Sequence, residues 1–498
     1  MRLKDLLEGL VEITKKDQHR VGEIEISGLT LDSRTLKNKE VFIALAGAKQ
    51  HGLFFIDKAI SRGASAVLYD PSGDGVQLAE EIKGIDMFPV EHLESVLAAL
   101  AVRFYNDPSR KLKVVGITGT NGKTSCSQFL GQVLDSTGII GTLGWGEWGG
   151  LNKTMNTTPD VLSIHRILAE FVQKNKKTVA MEVSSHGLEQ GRVNKVAFTG
   201  AVYTNVSRDH LDYHGTMDAY LAAKLKLLQV PGLEFAVVNL DDESCHRIIA
   251  AAPESVVLWG VSAKGRQLLS GESVSAQRII HTLEGIEFDV EWRGQTQTIK
   301  VPLYGDFNVE NVLCVIAVML AMGGTLSEAA AKLEFVKPVA GRMERCATKA
   351  YGLSVFVDYA HTPDALDRVL ATLRKHCEKK LWVVFGCGGD RDAGKRPEMG
   401  AIAEKWADRV IVTDDNPRSE ENSAIAKQIL AGCRSNKVDL IQDRKQAILH
   451  AITNAADQDC IIIAGKGHEN YQEIKGIQYP FDDKEIAEEA LYNRFGMQ

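Results

Sequence analysis

The sequence predicts an α/β protein of three domains, and three observations carry that prediction. The chain has 498 residues, too many for one hydrophobic core at roughly 100–200 residues per domain. From residue 113 onward, short apolar runs alternate with helix-like stretches, the signature of a mainly parallel sheet with crossover helices. Two polar joints interrupt the pattern: Asn106–Lys113, which contains Pro108, and Val336–Gly341, which brings Pro338 and Gly341 together. Boundaries at these joints give domains of 1–110, 111–336 and 337–498.

The elements follow in chain order. Leu3, Leu6, Leu7 and Leu10 fall on one helical face, and Asp5 and Glu8 exclude a signal-peptide apolar core. A strand is expected at 41–45. Further strands are expected at 113–118, 178–183, 200–206, 235–240 and 255–260, with helices from Cys126 and over Ala219–Leu228. From 278 to 303 alternating runs flank Arg293-Gly294, which reads as a small antiparallel insertion. The longest apolar run, Val312–Met322, falls short of the ~20 residues that span a bilayer, so it reads as a buried helix. In the last segment Ser354–Val357, Leu381–Phe385, Arg409–Thr413 and Cys460–Ala464 are strands, each running into a polar motif. Ligands of open α/β sheets bind beyond the carboxyl ends of strands, so these motifs suggest one shared site. Ordinary βα turns are the competing reading, and their richness in charge and glycine tells against it.

Composition narrows the class. Apolar residues make up 44% and charged residues 25%, which excludes a disordered or fibrous chain. The charge of −7, from 58 basic and 65 acidic residues, lacks the basic footprint of a nucleic-acid binder. The 8 cysteines are scattered without a C-x-x-C pair, which argues against a disulfide framework and a zinc ribbon and fits a reducing cytosol. A cytoplasmic enzyme, with neither membrane nor nucleic acid as partner, is expected.

The strongest motif is Gly116-Ile-Thr-Gly-Thr-Asn-Gly-Lys-Thr124, between a strand and a helix. Glycines let backbone N–H groups approach phosphates, the helix N-terminus favours anions, Lys123 reaches the terminal phosphates and Thr124 can ligate Mg²⁺. The spacing departs from G-x-x-x-x-G-K-S/T, since Gly116 comes one residue early and Gly119 two late. An ATP-binding enzyme is the best reading, and residues beyond the loop must select among kinase, switch, motor and ligase. Glu182 sits at a strand end, where a carboxylate could hold Mg²⁺. Asp209 and His210 are candidate metal or phosphate ligands. Lys224 lies on a helical run, where an exposed lysine is the competing reading.

Taken together, the motifs resemble the Mur ligase family, the ATP-dependent amino-acid-adding enzymes of bacterial cell-wall synthesis. Thr118–Thr124 is similar to that family's nucleotide loop, with Ser125 where a second Thr is frequent. Gly305-Asp-Phe-Asn-Val-Glu-Asn311 matches its G-x-x-N-x-x-N, and Gly341-Arg342 and Asp358-Tyr-Ala-His-Thr-Pro363 resemble further nucleotide contacts. The resemblance implies an N-terminal UDP-sugar domain, a central P-loop ATPase with a parallel sheet, and a C-terminal Rossmann-like domain for the incoming amino acid. It implies ATP contacts at Gly119, Thr120, Asn121, Gly122, Lys123, Thr124, Ser125, Asn308, Asn311, Arg342, Asp358 and His361. Metal ligation, with two Mg²⁺ ions, falls to Thr124, Glu182 and His210, and Lys224 matches the lysine that CO₂ converts to a carbamate, N6-carboxylysine. Lys123, Glu182, His210 and Lys224 are the expected catalytic set.

Within the family, Leu29-Thr-Leu-Asp-Ser-Arg34 and Gly47-Ala-Lys-Gln-His-Gly52 resemble the UDP-binding elements of the tripeptide-forming member. That match implies sugar-nucleotide and dipeptide contacts at Leu31, Ser33, Ala48, Lys49, Gln50, Asn156, Thr157, Thr158, Ser184, Gln190 and Arg192. Asp415-Asn-Pro-Arg418 resembles the signature of members that add meso-diaminopimelate. This amino acid is lysine with an extra distal carboxylate, to which a guanidinium offers a planar fork. Arg391, Asp415, Asn416, Pro417, Arg418, Gly465 and Glu469 make up the implied pocket. The expected reaction joins meso-diaminopimelate to UDP-MurNAc-L-Ala-D-Glu through an acyl phosphate, catalysed by a monomer. The alternatives are a lysine-adding ligase of the same family, a folylpolyglutamate synthase-like ligase and a P-loop regulatory NTPase.

Overall fold

The computed structural model describes residues 1–14, 16–47, 50–282, 285–346, 352–435 and 437–496. The chain divides into two compact units: Met1–Gly116 with Asp135–Gly200 and Gln229–Leu233, and Ile117–Leu134 with Ala201–Leu228 and Glu234–Gln498.

In the first unit, strands Gly28–Thr30, Glu40–Ala44, Ala66–Tyr69 and Met87–Pro89 pair in that order, all parallel. Alternate residues leave a strand on opposite faces. Val41, Ile43 and Leu68 therefore meet Leu3, Leu6, Leu7 and helix Leu93–Tyr105, whereas Phe42, Ala44 and Val67 meet Leu53, Ile56 and Ala59. With both faces covered, Glu40–Ala44 is buried throughout, which is why Val41–Ala44 reads as an unbroken apolar run. The N-terminal leucine stripe is a helix only over Leu3–Leu7, and Leu10 lies beyond its end. Strands Thr137–Gly141 and Thr178–Glu182 pair in parallel, and Gly144–Glu147 and Gly150–Asn152 add to the former in antiparallel fashion. Helix Val161–Gln173 starts at Asp160, whose carboxylate caps the N–H groups of Leu162 and Ser163.

In the second unit, Phe235–Asn239, Val257–Ser262 and Glu272–Thr282 run parallel. Gly285–Trp292 and Gln295–Val301 follow as the expected antiparallel insertion, joined by a two-residue turn at Arg293-Gly294 with both φ positive (50° and 73°). The buried helix begins earlier than its apolar run, at Asp306, and ends at Ala321. Among the described residues no helix is long and apolar enough to cross a membrane. A second sheet has the strand order Glu344–Cys346, Ser354–Asp358, Cys460–Ala464, Leu381–Phe385, Arg409–Val412, Val438–Leu440, with only the first pairing antiparallel. Because Cys460–Ala464 lies between Ser354–Asp358 and Leu381–Phe385, the loops leaving these strands emerge side by side.

Candidate active site

The phosphate loop lies between strand Lys113–Thr118 and helix Lys123–Val133. Its glycines are required by geometry. A Cβ on Gly119 (φ 147°) would lie 1.9 Å from Thr204 Oγ1, and one on Gly122 (φ 86°) 2.4 Å from Asn311 Oδ1. Residues just past strand Phe198–Tyr203 clamp the loop. Thr120 N–H donates to the Asn205 carbonyl (2.8 Å), Asn121 N–H to Asn205 Oδ1 (2.9 Å), and Asn205 Nδ2 to the Asn121 carbonyl (3.1 Å). The Lys123 ammonium donates to the carbonyls of Gly119 and Thr120, both at 2.8 Å.

Lys224 is not the exposed lysine of the competing reading. It is 1% exposed, donates to the Gly119 carbonyl at 2.9 Å, and its Nζ sits 4.4 Å from the Tyr220 ring centroid. Burial, reinforced by the charge of Lys123, holds its pKa well below the usual lysine range. His210 heads the short helix Leu211–His214 at φ 54°, exposed, with Nε2 3.5 Å from Asp209 Oδ2.

A cleft of about 70 Å³ opens beside the loop. Of the expected nucleotide contacts it is lined by Asn121, Gly122, Thr124, Ser125, Asn311, Arg342 and Asp358. Gly119, Thr120 and Lys123 are not among the lining residues, and neither is His361, which is exposed with Nδ1 2.8 Å from the Tyr359 carbonyl. Asn308 acts through Asn311: its Nδ2 donates to the Tyr304 carbonyl (2.8 Å) and its Oδ1 accepts from Asn311 Nδ2 (3.1 Å). Asp358 is buried and accepts the N–H groups of Met343 and Ala360, both at 2.7 Å, and burial pushes its carboxyl pKa up. Sequence reasoning missed Asn205, Phe307, Glu310, Ala365, Arg368 and Val369, which complete the wall. Phe307 was findable, since it precedes Asn311 by one helical turn and so shares its face. Glu310 accepts from Asn239 Nδ2 at 2.8 Å, and burial raises its pKa.

Within the first unit a second group of expected residues converges. The Glu182 carboxylate is fully buried and accepts both the backbone N–H (3.0 Å) and the hydroxyl (2.9 Å) of Thr142. Thr142 Oγ1 lies 3.0 Å from Thr157 Oγ1. The Thr158 hydroxyl donates to the Glu182 carbonyl and accepts from Ser184 N–H, both at 2.9 Å. Arg192 Nη1 donates to the Thr158 carbonyl (2.8 Å), and its Nε and Nη2 donate to Gln190 Oε1 (3.0 and 2.6 Å). Asn156 is exposed at the edge of this cluster. Ser33 is buried and Leu31 half-buried, and their segment reaches the same place through Arg34 Nη2, 3.2 Å from Met155 Sδ. Gln50 is exposed, and Ala48 and Lys49 lie outside the described residues. Thr142 was missed, because nothing local marks a threonine as the partner of a carboxylate forty residues away.

The loops of the second sheet bring the third expected group together. Asn416 Nδ2 donates to Glu469 Oε2 (2.8 Å), and Asn416 Oδ1 accepts from Lys466 Nζ (3.0 Å) and from Glu473 N–H (2.9 Å). Gly465 (φ 118°) has no room for a side chain, since its Cβ would lie 2.5 Å from Asp415 Oδ2. Arg418 Nη1 donates to the Gly389 carbonyl (2.7 Å) and its Nε lies 3.3 Å from Glu473 Oε2. A Cβ on Gly388 would lie 3.0 Å from Arg418 Nη1 and 3.9 Å from Arg391 Cγ, so the two arginines flank one glycine. Arg391 is exposed, whereas Asp415, Asn416 and Pro417 are buried. Arg418 is neither a helix cap nor solvated: the next helix starts at Asn422, and its side chain is 22% exposed. Burial pushes the Glu469 pKa up against the opposing charge of Lys466. Lys466 and Glu473 were missed.

A clamped phosphate loop beside a cleft with apolar and polar walls, on parallel α/β sheets, defines a nucleotide-dependent enzyme. Comparison with known proteins narrows the class. Three family models match in succession: Mur ligase family, catalytic domain, over 25–105; Mur ligase middle domain over 117–319; and Mur ligase, glutamate ligase domain, over 341–467. The chain is 45% identical over 478 residues to a UDP-N-acetylmuramoyl-L-alanyl-D-glutamate–2,6-diaminopimelate ligase of Xanthomonas oryzae, covering 95% of each. It is 44% identical over 477 residues to the ligase of the same name from Pseudomonas aeruginosa, covering 94% of this chain and 96% of the relative. A solved structure of a ligase of that name matches with a TM-score of 0.67 at 32% identity over 99% of each chain. The chain belongs to the Mur ligase family, with its three-domain α/β fold, and is an ATP-dependent amide ligase.

Proposed function

We propose that this ligase joins meso-2,6-diaminopimelate to UDP-MurNAc-L-Ala-D-Glu in peptidoglycan precursor synthesis, working as a cytoplasmic monomer on small-molecule substrates without membrane or nucleic-acid partners. The observation that carries this reading is the convergence of Arg391, Arg418, Asn416 and Glu469 on adjacent strand ends, two cations and one acid for a substrate bearing carboxylates and ammonium groups. It occurs in a chain 45% identical to a diaminopimelate ligase.

The domains divide as 1–110 for the UDP-sugar, 111–336 for ATP and 337–498 for the amino acid. ATP lies in the cleft, with its phosphates on loop 119–124, its base against Asn311 and Phe307, and Arg342 and Asp358 at its flank. The Thr157–Arg192 cluster holds the dipeptide. ATP phosphorylates the D-glutamyl side-chain carboxylate and ADP leaves. The neutral amine of diaminopimelate then attacks the acyl carbon, the amide bond forms, and inorganic phosphate departs. An anion approaching a triphosphate meets repulsion of about 4 kcal/mol per charge pair at 4 Å, even at an effective dielectric of 20, and Lys123 offsets it. Thr124 and His210 would hold Mg²⁺ in the second unit, and Glu182, oriented by its two bonds from Thr142, would offer a carboxylate to Mg²⁺ in the first. Bound Mg²⁺, as two ions, supplies positive charge at the phosphoryl oxygens. Burial lowers the pKa of the Lys224 amine, and its uncharged form reacts with CO₂, forming an N–C bond and releasing a proton, to give a carbamate anion.

Phosphate release from ATP, measured with each co-substrate omitted in turn, tests the reading. Release is expected only with both the UDP-dipeptide and diaminopimelate present. Release with lysine in its place, or without any amino acid, would overturn it.

A further inference from the structure

The amino-acid loops rest on an ion pair that no local motif announces. Arg444 and Asp483 have side chains that are 0% exposed. Arg444 Nε and Nη2 each donate to one Asp483 oxygen at 2.7 Å, a bidentate fork. The same guanidinium reaches two backbone carbonyls: Nη1 donates to Asp414 at 3.2 Å and Nη2 to Ala464 at 3.1 Å. Asp414 directly precedes Asp415-Asn416, and Ala464 directly precedes Gly465-Lys466. One side chain thus ties together the ends of two strands at the points where both loops begin. Arg444 opens helix Arg444–Asn454 and Asp483 opens helix Asp483–Phe495, so each partner is anchored by a packed element.

A buried ion pair is a poor way to gain stability, because desolvating two charges offsets most of their attraction, and well-packed apolar replacements are often neutral or better. What the pair gives here that an apolar pair would not is a directional hold on two carbonyls. Downstream of those carbonyls the loops meet with little tolerance: Asn416 bridges Glu469 and Lys466, and Gly465 abuts Asp415. A slip between the strand ends would move Glu469 relative to Arg418.

We propose that Arg444, held by Asp483, is a positioning residue for amino-acid recognition, setting the register between the Asp415–Arg418 and Gly465–Glu469 loops without touching substrate. This rests on the reading of those loops as the amino-acid pocket. The double variant Arg444→Met/Asp483→Leu removes both charges together and leaves no orphaned ion. Misplacement of a binding group by about 1 Å costs up to ~100-fold, so the KM for the amino acid is expected to rise about 10- to 100-fold. The KM for ATP and nucleotide binding by calorimetry should stay within about 2-fold of wild type, since the hydrogen-bond partners of Arg444 named above, Asp483, Asp414 and Ala464, do not line the cleft. A folded double variant with an unchanged amino-acid KM, or with all KM values raised alike, would overturn the proposal. Should the double variant not fold, Arg444→Lys decides: a compact ammonium cannot serve both carbonyls and the carboxylate fork, so it must show the same selective rise, and its absence is equally fatal. Assaying wild type with diaminopimelate and with lysine separates the two ideas. A wild type that ligates neither sinks the pocket assignment, whereas an unmoved KM for the amino acid it does use sinks only the positioning role.

Discussion

Lys224 shows how far a single position can depart from its statistical expectation. A lysine on a helical run is ordinarily solvated, yet here the amine is buried against Tyr220 and the Gly119 carbonyl. Its depressed pKa has a consequence for stability. Between the folded value and the unfolded value near ~10.4 the unfolded chain binds more protons, so this group's stabilising contribution is full above the unfolded pKa and is lost as pH falls towards the folded one. Denaturant unfolding in CO₂-free buffer should therefore show stability rising as pH approaches about 10 from below, with a shallower slope in Lys224→Met. Identical slopes would mean that the amine is not buried as described. Lys224→Ala should lose ligation and recover part of it when a small carboxylate is added. The other decisive residue is Arg418. Arg418→Ala removes a charge-assisted contact worth roughly 1.5–3 kcal/mol, about 10- to 150-fold, from diaminopimelate alone. Equal proportional losses for diaminopimelate and lysine would detach Arg418 from the distal carboxylate. The residues illegible in the sequence share one property: Thr142, Lys466 and Arg444 act through partners that chain folding supplies, and none carries a local pattern.

At the level of elements, the phosphate loop is the most sharply specified piece. Gly122→Ala would place a methyl 2.4 Å from Asn311 Oδ1 on a backbone of positive φ. Nucleotide affinity should fall at least about 10-fold with the rest of the fold intact, as measured by ATP-analogue calorimetry alongside circular dichroism; wild-type affinity would show that the loop yields. Leu381–Phe385 and Cys460–Ala464, buried on both faces, were legible, whereas Ala66–Tyr69 and Thr137–Gly141, equally buried, were missed. Other strands were missed because they are short or exposed. Gly28–Thr30 and Met87–Pro89 have three residues each, too few for any periodicity, and the hairpin Tyr471–Ile474 with Ile477–Pro480 buries no residue fully. That hairpin nonetheless matters: Arg418 N–H donates to the Glu473 carbonyl and Arg418 bridges to Ile474.

For the molecule as a whole, every residue lining the cleft falls within the second of the two compact units. A nucleotide analogue at 100 times its Kd should stabilise what it binds by about 2.7 kcal/mol. Amide exchange should slow at 119–125, 305–311 and 358–369 and stay unchanged in Gly28–Thr30 and Ala66–Tyr69. Equal slowing of both sets would argue against a nucleotide site built from these segments alone.

The strand order of the second sheet bears on synthesis as well as on binding. Ser354–Asp358 and Leu381–Phe385 are separated by Cys460–Ala464, a strand made roughly 75 residues after the later of them. A nascent chain emerging from the ribosome must therefore hold two apolar strands apart, with a gap between them, until Cys460–Ala464 has been translated. The sequence separation makes that closure slow and leaves unpaired edges exposed meanwhile. Premature termination near residue 455 would strand the Asp358 and Gly386 loops on a sheet lacking its middle member. Such fragments should be prey for proteases and chaperones, and a chain that stops short of Cys460–Ala464 should not become active.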